Sequence, residues 1–136
     1  MNEKKIEYKE TKDFTKEDIK DLFLSVNWLS GKYPDRLVKA LKASPTVITA
    51  WDGEKLVGLI RILDDGEMTA FLHYLLVNPS YQGCGIAKEL LTRIKQLYKD
   101  YLYINIMPEE SCNAAFYQKH GFSILEDGIA MQKKQL

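Results

Sequence analysis

The sequence contains little that would mark a secreted, membrane or metal-binding protein. Only two cysteines, Cys84 and Cys112, occur in 136 residues, too few for a disulfide framework. No Cys-x-x-Cys pair is present, and the two histidines, His73 and His120, lie far apart, so we expect no metal site. No apolar run is long enough to span a bilayer.

No charge of one sign dominates the chain. Nineteen Lys and Arg residues balance nineteen Asp and Glu residues. This balance argues against a nucleic-acid-binding or membrane-binding surface. Residues 1–5 lead into no apolar segment of a secretory signal, so we expect a cytoplasmic protein. The length and the hydrophobic fraction of 46% predict a single domain spanning residues 1–136.

The most informative segment is Gln82-Gly83-Cys84-Gly85-Ile86-Ala87, here called the glycine loop (residues 82–87). An apolar, strand-like run precedes it at residues 71–77, and a helix-like run follows it at residues 88–99. Glycine lets a backbone approach an anion closely, and the first N–H groups of a helix have no intrahelical partner. The segment therefore predicts a phosphate site built from backbone N–H groups.

Three phosphate-binding patterns compete for this loop. The ATP-binding loop requires Gly-x-x-x-x-Gly-Lys-Ser/Thr, which is missing, and the dinucleotide fingerprint fails because Lys88 occupies its last small-residue position. The third pattern, Gln/Arg-x-x-Gly-x-Gly/Ala, is met by Gln82, Gly85 and Ala87. It is the coenzyme A pyrophosphate loop of the GNAT (GCN5-related N-acetyltransferase) superfamily, which this chain resembles. A tight strand-to-helix turn without a ligand is the alternative.

A second motif, residues 113–122, strengthens the resemblance. Ala115 lies two residues after Asn113, and Phe116-Tyr117 and Gly121-Phe122 fall where the family has these residue pairs. The alternative interpretation is an amphipathic helix with an aromatic face that ends at Gly121. Both motifs together make the chain similar to small bacterial-type, single-domain acetyltransferases over residues 45–133.

The predicted elements also resemble the family's order, β-α-α-β-β-β-α-β-α-β-β. Thr15 is a predicted N-cap, and Pro34 suits the first turn of a second helix. The resemblance implies an α/β (α+β) GNAT fold: a mixed, mostly antiparallel sheet flanked by about four helices. Its two central strands, residues 68–77 and 101–107, are expected to run parallel and splay apart. A hairpin of residues 122–125 and 129–132 is expected to close the sheet.

The resemblance implies transfer of an acetyl group from acetyl-CoA to a primary amine by direct attack on the thioester. The implied coenzyme contacts are the backbone of Leu75, Leu76 and Val77, the N–H groups of Gln82, Gly83, Cys84, Gly85, Ile86 and Ala87, and Lys88, Asn113, Phe116 and Tyr117. The N–H near Leu76 is expected to polarise the thioester carbonyl. Asn113 is alternatively the N-cap of its helix.

Two residues are candidate catalysts. Tyr117 occupies the family position whose hydroxyl lies near the coenzyme sulfur, which implies a general acid; the alternative is a core tyrosine. Many family members place a glutamate base where this chain has Phe71. His73, two residues on, is expected to share the face of Phe71 and resembles one of two histidines in arylalkylamine N-acetyltransferases. His73 or a water relay is the candidate base.

The acceptor is the least determined part of the site. Trp28, Tyr33, Tyr74 and Asn105 are candidate lining residues, with Arg61 and residues 64–65 at the rim. Core packing explains such aromatic residues equally well. The expected partner is a small-molecule amine, a protein lysine or a protein N-terminus, for a monomer or a homodimer. Because the strand glutamate is missing, a non-catalytic coenzyme-A-binding sensor stays open as a second function. A nucleotide-dependent enzyme is disfavoured by the loop pattern.

Overall fold

A computed structural model of the protein describes residues 5–136. The helices and strands, in chain order, are β1 (Ile6–Lys9), α1 (Lys16–Ser25), α2 (Pro34–Ala43), β2 (Thr46–Asp52), β3 (Lys55–Asp64), β4 (Thr69–Val77), α3 (Ile86–Leu97), β5 (Tyr103–Ile106) and α4 (Ala114–Lys119). Three short 3₁₀ helices lie at Leu29–Lys32, Pro79–Tyr81 and Ser111–Asn113. Two compact units can be distinguished, one ending at Asn105 and the other spanning Ile106–Leu136.

Local sequence signals explain where the first two helices begin. The Thr15 hydroxyl accepts a hydrogen bond from Asp18 N at 3.1 Å, and the Asp18 carboxylate accepts one from Thr15 N at 2.9 Å. This reciprocal capping box satisfies two N–H groups that helix geometry leaves unpaired. Pro34 occupies the first turn of α2, where a missing N–H costs nothing. Both predictions made from these residues are confirmed.

The five strands form one sheet in the order β1-β2-β3-β4-β5. Strands β1 to β4 make an antiparallel meander, and β5 runs parallel to β4. The predicted α/β fold, a mixed and mostly antiparallel sheet with a parallel pair and four helices, is confirmed.

Strand β4 extends well past its parallel neighbour. The N–H groups of Leu102 and Tyr103 both donate to Met68 O, at 2.9 and 3.1 Å, so β5 starts beside the start of β4. Strand β5 has 4 residues and β4 has 9. Because a strand rises about 3.3 Å per residue, the last residues of β4 lie beyond the end of β5. On that side their backbone groups have no partner in β5.

Apolar side chains cover both faces of the sheet. One core cluster joins the helices α1 and α2 to the sheet, and its buried members are Phe14, Ile19, Leu22, Phe23, Leu37, Leu41, Val47, Trp51, Leu56, Leu59 and Leu76. Helix α3 also buries an apolar stripe, consisting of Ile86, Leu90, Leu91 and Ile94. The stripe does not extend to the last residue of α3, since Leu97 is 49% exposed.

The predicted closing hairpin is not present. Residues 122–125 and 129–132 contain no strand in the structure, although Gly128 N donates to Leu125 O at 3.1 Å in a turn between them. Ile124 and Ile129 are 65% and 85% exposed. Without apolar burial, a two-stranded hairpin has too few interactions to be stable. The Asp127-Gly128 signal therefore produced a turn but no strands.

Across residues 5–136, every helix is too short or too polar to cross a membrane.

Candidate active site

The glycine loop is anchored at the end of β4. Asn78 N donates to Val57 O at 2.8 Å, while the Asn78 side-chain oxygen accepts from Ser80 N at 2.9 Å. The Gln82 side chain donates back to Val77 O at 3.3 Å. These hydrogen bonds hold the chain between the strand and the loop, so the loop begins from a defined position.

The loop presents a run of unpaired donors. Gly83 and Gly85 both have φ of 81°, in the left-handed region that glycine adopts without strain. Among residues 5–136, no acceptor is found for the N–H groups of residues 83–88. The first bonded N–H of α3 belongs to Glu89, which donates to Gly85 O at 3.0 Å. Six successive N–H groups are thus free for an anion, whereas the N–H of Gln82 already donates to Pro79 O at 3.4 Å.

Helix α3 adds a favourable field at the same place. Its twelve residues begin immediately after Gly85, which is the N-cap and provides no side-chain cap. Aligned peptide dipoles leave about half a positive charge at a helix N-terminus. Ile86 is buried at the first helical position and fixes that end of α3 on the sheet. Lys88 and Cys84 are exposed beside it. This arrangement fits the diphosphate of coenzyme A.

The end of β4 lies next to the loop. Leu75, Leu76 and Val77 pair with Ile60, Leu59 and Gly58 of β3. Leu76 and Val77 are buried, so the strand is fixed by packing as well as by pairing. Since this part of β4 lies beyond β5, its backbone groups on that side have no partner in β5.

A β-bulge interrupts β4 at His73. Tyr74 pairs with Arg61 and Leu72 pairs with Ile62, which leaves His73 as an extra residue. A bulge breaks the regular alternation of side chains. The His73 and Phe71 rings are still neighbours, as expected, with centroids 5.9 Å apart. The bulge also brings the His73 ring against Tyr74, with centroids 4.2 Å apart, which regular alternation does not predict.

His73 is neutral and engaged by a buried cation. Arg61 Nη1 lies 2.5 Å from His73 Nδ1. Because arginine can only donate, this contact assigns the acceptor lone pair to Nδ1 and the ring proton to Nε2. Partial burial, and secondly the charge of Arg61, lower the pKa of His73 below its ordinary value. The ring can accept a proton at neutral pH, once a nitrogen lone pair is released.

Two of the four predicted acceptor residues lie together. The rings of Trp28 and Tyr74 are 5.9 Å apart, and both pack edge-on against Phe23. The Tyr74 hydroxyl hydrogen-bonds the Ser30 hydroxyl at 2.8 Å. Trp28, Tyr74 and His73 thus form one group on unit 1, and Ser30 is a member that the sequence analysis missed.

The other two predicted acceptor residues are not joined to this group. Tyr33 is exposed at the start of α2, where the Arg36 guanidinium lies 6.0 Å from its ring. Asn105 lies on β5, and its side chain makes no hydrogen bond within the described part of the chain.

The charged rim expected from the sequence is different in the structure. Arg61 is only 8% exposed, and its Nε donates to Ser44 Oγ at 2.9 Å. The Asp65 carboxylate accepts backbone N–H groups of its own turn, and Asp64 accepts from the Tyr98 hydroxyl. The two aspartates are structural, and Arg61 belongs to the interior. The sequence contains one signal of this burial, since Arg61 stands inside the apolar run Leu59-Ile60-Arg61-Ile62.

Unit 2 carries the second motif. Asn113 ends a 3₁₀ helix and is the N-cap residue of α4, as the alternative expected, but its side chain makes no capping hydrogen bond. Helix α4 ends before Gly121, whose φ of 93° is left-handed, as predicted. Asn113 is exposed and Phe116 is partly buried. The Asn113 side-chain oxygen accepts a hydrogen bond from Cys112 Sγ at 4.0 Å.

Tyr117 is buried in an aromatic environment. It is 8% exposed, and its ring packs edge-on against Phe116 and Phe122 at 5.2 and 5.7 Å. Burial raises the pKa of Tyr117 to about 12. Its hydroxyl is therefore fully protonated at neutral pH, which a proton donor requires.

No three His, Cys, Asp or Glu side chains within residues 5–136 lie close enough to share a metal ion. On unit 1 the candidate groups are the backbone N–H groups of the glycine loop, His73 and Arg61, and unit 2 by itself carries Tyr117.

Comparison with known proteins identifies the family of this chain. A model of the Acetyltransferase (GNAT) family matches residues 10–122. The ycf52 N-acetyltransferase of Porphyra purpurea is 31% identical over 125 residues, covering 88% of this chain and 71% of that protein. A GNAT family acetyltransferase from Streptococcus pneumoniae superposes with a TM-score of 0.82 at 31% identity, covering 96% of this chain and 98% of the other. A probable acetyltransferase from Staphylococcus aureus superposes with a TM-score of 0.85 at 23% identity, covering 96% and 100%. This chain belongs to the acetyltransferase (GNAT) family.

Proposed function

We propose that the protein transfers an acetyl group from acetyl-CoA to a primary amine by direct attack within a ternary complex. The observation that carries this proposal is the run of six unpaired N–H groups at residues 83–88, formed around two left-handed glycines. Such a run is a ready-made site for a diphosphate. In this proposal residues 1–136 act as one domain in the cytoplasm.

The remaining coenzyme contacts follow from the family resemblance. The backbone of Leu75, Leu76 and Val77 binds the pantetheine arm, and the N–H near Leu76 donates to the thioester carbonyl oxygen. Lys88 adds positive charge near the phosphates, while Asn113 and Phe116 contact the coenzyme. Acetyl-CoA supplies the acyl group already activated as a thioester.

Three proton transfers accompany the reaction. A primary amine has a pKa near that of lysine, about 10.4, and reaches the site mostly as ammonium. His73, directly or through a water, takes one proton so that the nitrogen lone pair can attack the acyl carbon. The nitrogen–carbon bond forms, the carbon–sulfur bond breaks, and Tyr117 donates its proton to the departing sulfur. The attacking nitrogen then loses its second proton, which returns to the Tyr117 oxygen directly or through water, and His73 releases its proton to solvent. General acid catalysis of this kind contributes about 10²–10⁴-fold.

The test is thiol release from acetyl-CoA against a panel of amines, with an amine-free control. We expect amine-dependent release that falls in Tyr117→Phe by up to about 10²–10⁴-fold in kcat. With a pKa of about 12, Tyr117 should cause no alkaline loss of rate below a pH of about 11. Tyr8→Phe, which removes a hydroxyl from the edge strand β1, is the matched control and should have the same kcat and pH dependence as wild type.

Two outcomes would remove the assigned roles. Wild-type kcat and pH dependence in Tyr117→Phe would eliminate the acid role. An unchanged kcat/KM in His73→Ala across the pH range would eliminate the histidine as the base and leave the water relay.

A second candidate function is a coenzyme-A-binding sensor without turnover. Phe71 stands where many family members have a glutamate base, and this departure is the observation that favours a sensor. Calorimetric binding of acetyl-CoA without thiol release, for a panel that includes protein lysines and N-termini, would support the sensor over the enzyme.

A further inference from the structure

Arg61 is a buried cation without an acidic partner. Its side chain is 8% exposed, yet no carboxylate lies within ion-pairing distance of it in the described part of the chain. The ion pairs found there are Lys16–Asp35 and Arg93–Glu89, both on exposed helical surfaces. Burying a charge without a counter-charge is costly unless something else compensates for the lost hydration. A bound anion would provide that compensation.

Neutral groups satisfy only part of the guanidinium. Nε donates to Ser44 Oγ at 2.9 Å, Nη1 donates to His73 Nδ1 at 2.5 Å, and the group lies 5.2 Å from the centroid of the Tyr74 ring. Arginine has five N–H donors in a planar fork, so three of them are unused. Burial lowers the pKa of Arg61, but a guanidinium stays charged at any physiological pH.

One of the unused donor groups is not completely buried. Within residues 5–136, every fully buried side-chain nitrogen and oxygen has a hydrogen-bond partner. No hydrogen bond of Arg61 Nη2 exists there. Nη2 therefore keeps some contact with solvent, and Arg61 is the β3 residue at which the register with β4 shifts. The planar fork of a guanidinium matches the oxygens of a carboxylate or a phosphate.

Arg61 lies near the strand residues at which we propose that the thioester binds. Arg61 pairs with Tyr74, the residue before Leu75 on β4. Successive strand residues are about 3.3 Å apart, so the Arg61 backbone is within roughly two residues of the proposed thioester position. The guanidinium itself contacts the side chains of His73 and Tyr74 on β4. Trp28 and Tyr74 lie on the same side. An anion on Arg61 would hold an amine nitrogen only a few bonds away.

We propose that the acceptor is a small primary amine that carries a carboxylate or phosphate a few bonds from its nitrogen, and that Arg61 binds this anionic group. The inference rests on the acetyltransferase function proposed above. It disfavours polyamines, which bring a second cation towards Arg61, and internal protein lysines, which bring no nearby anion. The aromatic rings of Trp28 and Tyr74 cover the short chain between the two groups.

The experiment compares kcat/KM for matched amines that differ mainly in the anion. β-Alanine is paired with propylamine, phenylalanine with phenylethylamine, and phosphoethanolamine with ethanolamine. A charge-assisted bidentate contact predicts a preference of about ten- to a hundredfold for the anionic member. A larger ratio of kcat/KM in the first two pairs indicates carboxylate recognition, and a larger ratio in the third pair indicates phosphate recognition.

Arg61 variants assign the preference to this side chain. In Arg61→Met the ratio between anionic and neutral amines should fall to within about threefold, mainly through KM of the anionic amine. Arg61→Lys should keep part of the ratio, because it retains the charge and loses the fork. Arg93→Met removes an exposed arginine of α3 and should leave the ratio unchanged. Thermal unfolding and acetyl-CoA affinity of each variant separate a folding defect from lost recognition.

A readout without turnover completes the test. Propionate and inorganic phosphate are titrated into wild type and Arg61→Lys with coenzyme A bound, and the His73 imidazole resonances are followed by NMR. An anion that binds Arg61 should shift these resonances in wild type and shift them less in the variant.

The possible failures are distinguishable. Absence of both coenzyme binding and turnover would overturn the proposed function itself. Turnover with equal kcat/KM for anionic and neutral amines would overturn only the role of Arg61. An anionic preference that persists in Arg61→Lys and Arg61→Met would place the recognition elsewhere and overturn this inference as well.

Discussion

Replacing Gly85 with alanine tests the phosphate-binding role of the glycine loop most directly. Gly85 is the N-cap of α3, with φ of 81° and ψ of 10°. A Cβ added there meets no atom within 4 Å, so the substitution causes no steric clash. Its cost is conformational, because an L-residue in the left-handed region loses about 1–2 kcal/mol.

This conformational cost of alanine at position 85 also sets the expected loss of coenzyme affinity. In the free protein an alanine can relax out of the left-handed region, which turns the N–H groups on either side of residue 85 away from their common direction. Binding the diphosphate must then restore that conformation. A penalty of about 1–2 kcal/mol corresponds to a five- to thirtyfold increase in Kd.

Gly66→Ala is the matched control. Gly66 has the same φ of 81°, and a Cβ there also meets nothing within 4 Å. It lies in the turn between β3 and β4, where Gly66 N donates to Asp64 Oδ1 at 2.9 Å. Neither variant should lose more than about 1–2 kcal/mol of free energy of unfolding, and only Gly85→Ala should lose affinity for coenzyme A.

Isothermal titration calorimetry measures Kd, and thermal unfolding measures the stability cost. Equal coenzyme affinity in the two variants would refute the reasoning, because the left-handed residue would then be irrelevant to binding. Weaker binding in both variants would show that the loss reflects general stability.

The remaining predictions concern the surroundings of the loop. Both free thiols are exposed, so each can be labelled with maleimide in a variant that lacks the other. Bound acetyl-CoA should slow labelling of Cys84 in Cys112→Ser and leave labelling of Cys112 unchanged in Cys84→Ser. Equal labelling rates at Cys84 with and without coenzyme would contradict the placement of the phosphates. Gly58→Ala puts a Cβ 2.9 Å from Ile86 Cγ2. This overpacking should cost about 1–3 kcal/mol of stability, seen as a lower Tm, and should weaken coenzyme binding by moving the first turn of α3. An unchanged Tm and Kd would mean that Ile86 does not position the loop.

Features encoded within a few neighbouring residues were predictable. Gly83 and Gly85 supply left-handed backbone, and Thr15 with Asp18 supplies a capping box. Each of these depends on groups two to four residues apart, so the sequence pattern contains all of the relevant chemistry. The same holds for Gly121, which ends α4.

The closing hairpin shows where local signals are insufficient. A turn forms between Leu125 and Gly128, as the Asp127-Gly128 pair indicates. Strands, however, require partners and apolar burial along their length. Ile124 and Ile129 have little of that burial, and no sequence pattern states whether a partner is present.

Long-range pairing also decided the surroundings of His73. The bulge exists because Arg61 pairs with Tyr74 while Ile62 pairs with Leu72, a register between two strands that residue alternation cannot reveal. That register brings Arg61 to Nδ1 of His73 and thereby changes the interpretation of both residues. The sequence had indicated only a charged residue at a rim and a histidine on a regular strand.

The sequence by itself determined the family, the order of the first nine elements and the left-handed turns of the glycine loop, because glycine conformations, caps and hydrophobic periodicity act over a few residues. The tertiary structure alone decided which side chains share an environment. Packing between strands separated by a turn buried Arg61 without a carboxylate, and core packing placed Tyr74 against Phe23 and Trp28. Such contacts depend on the distance between residues in space, which the linear pattern does not contain.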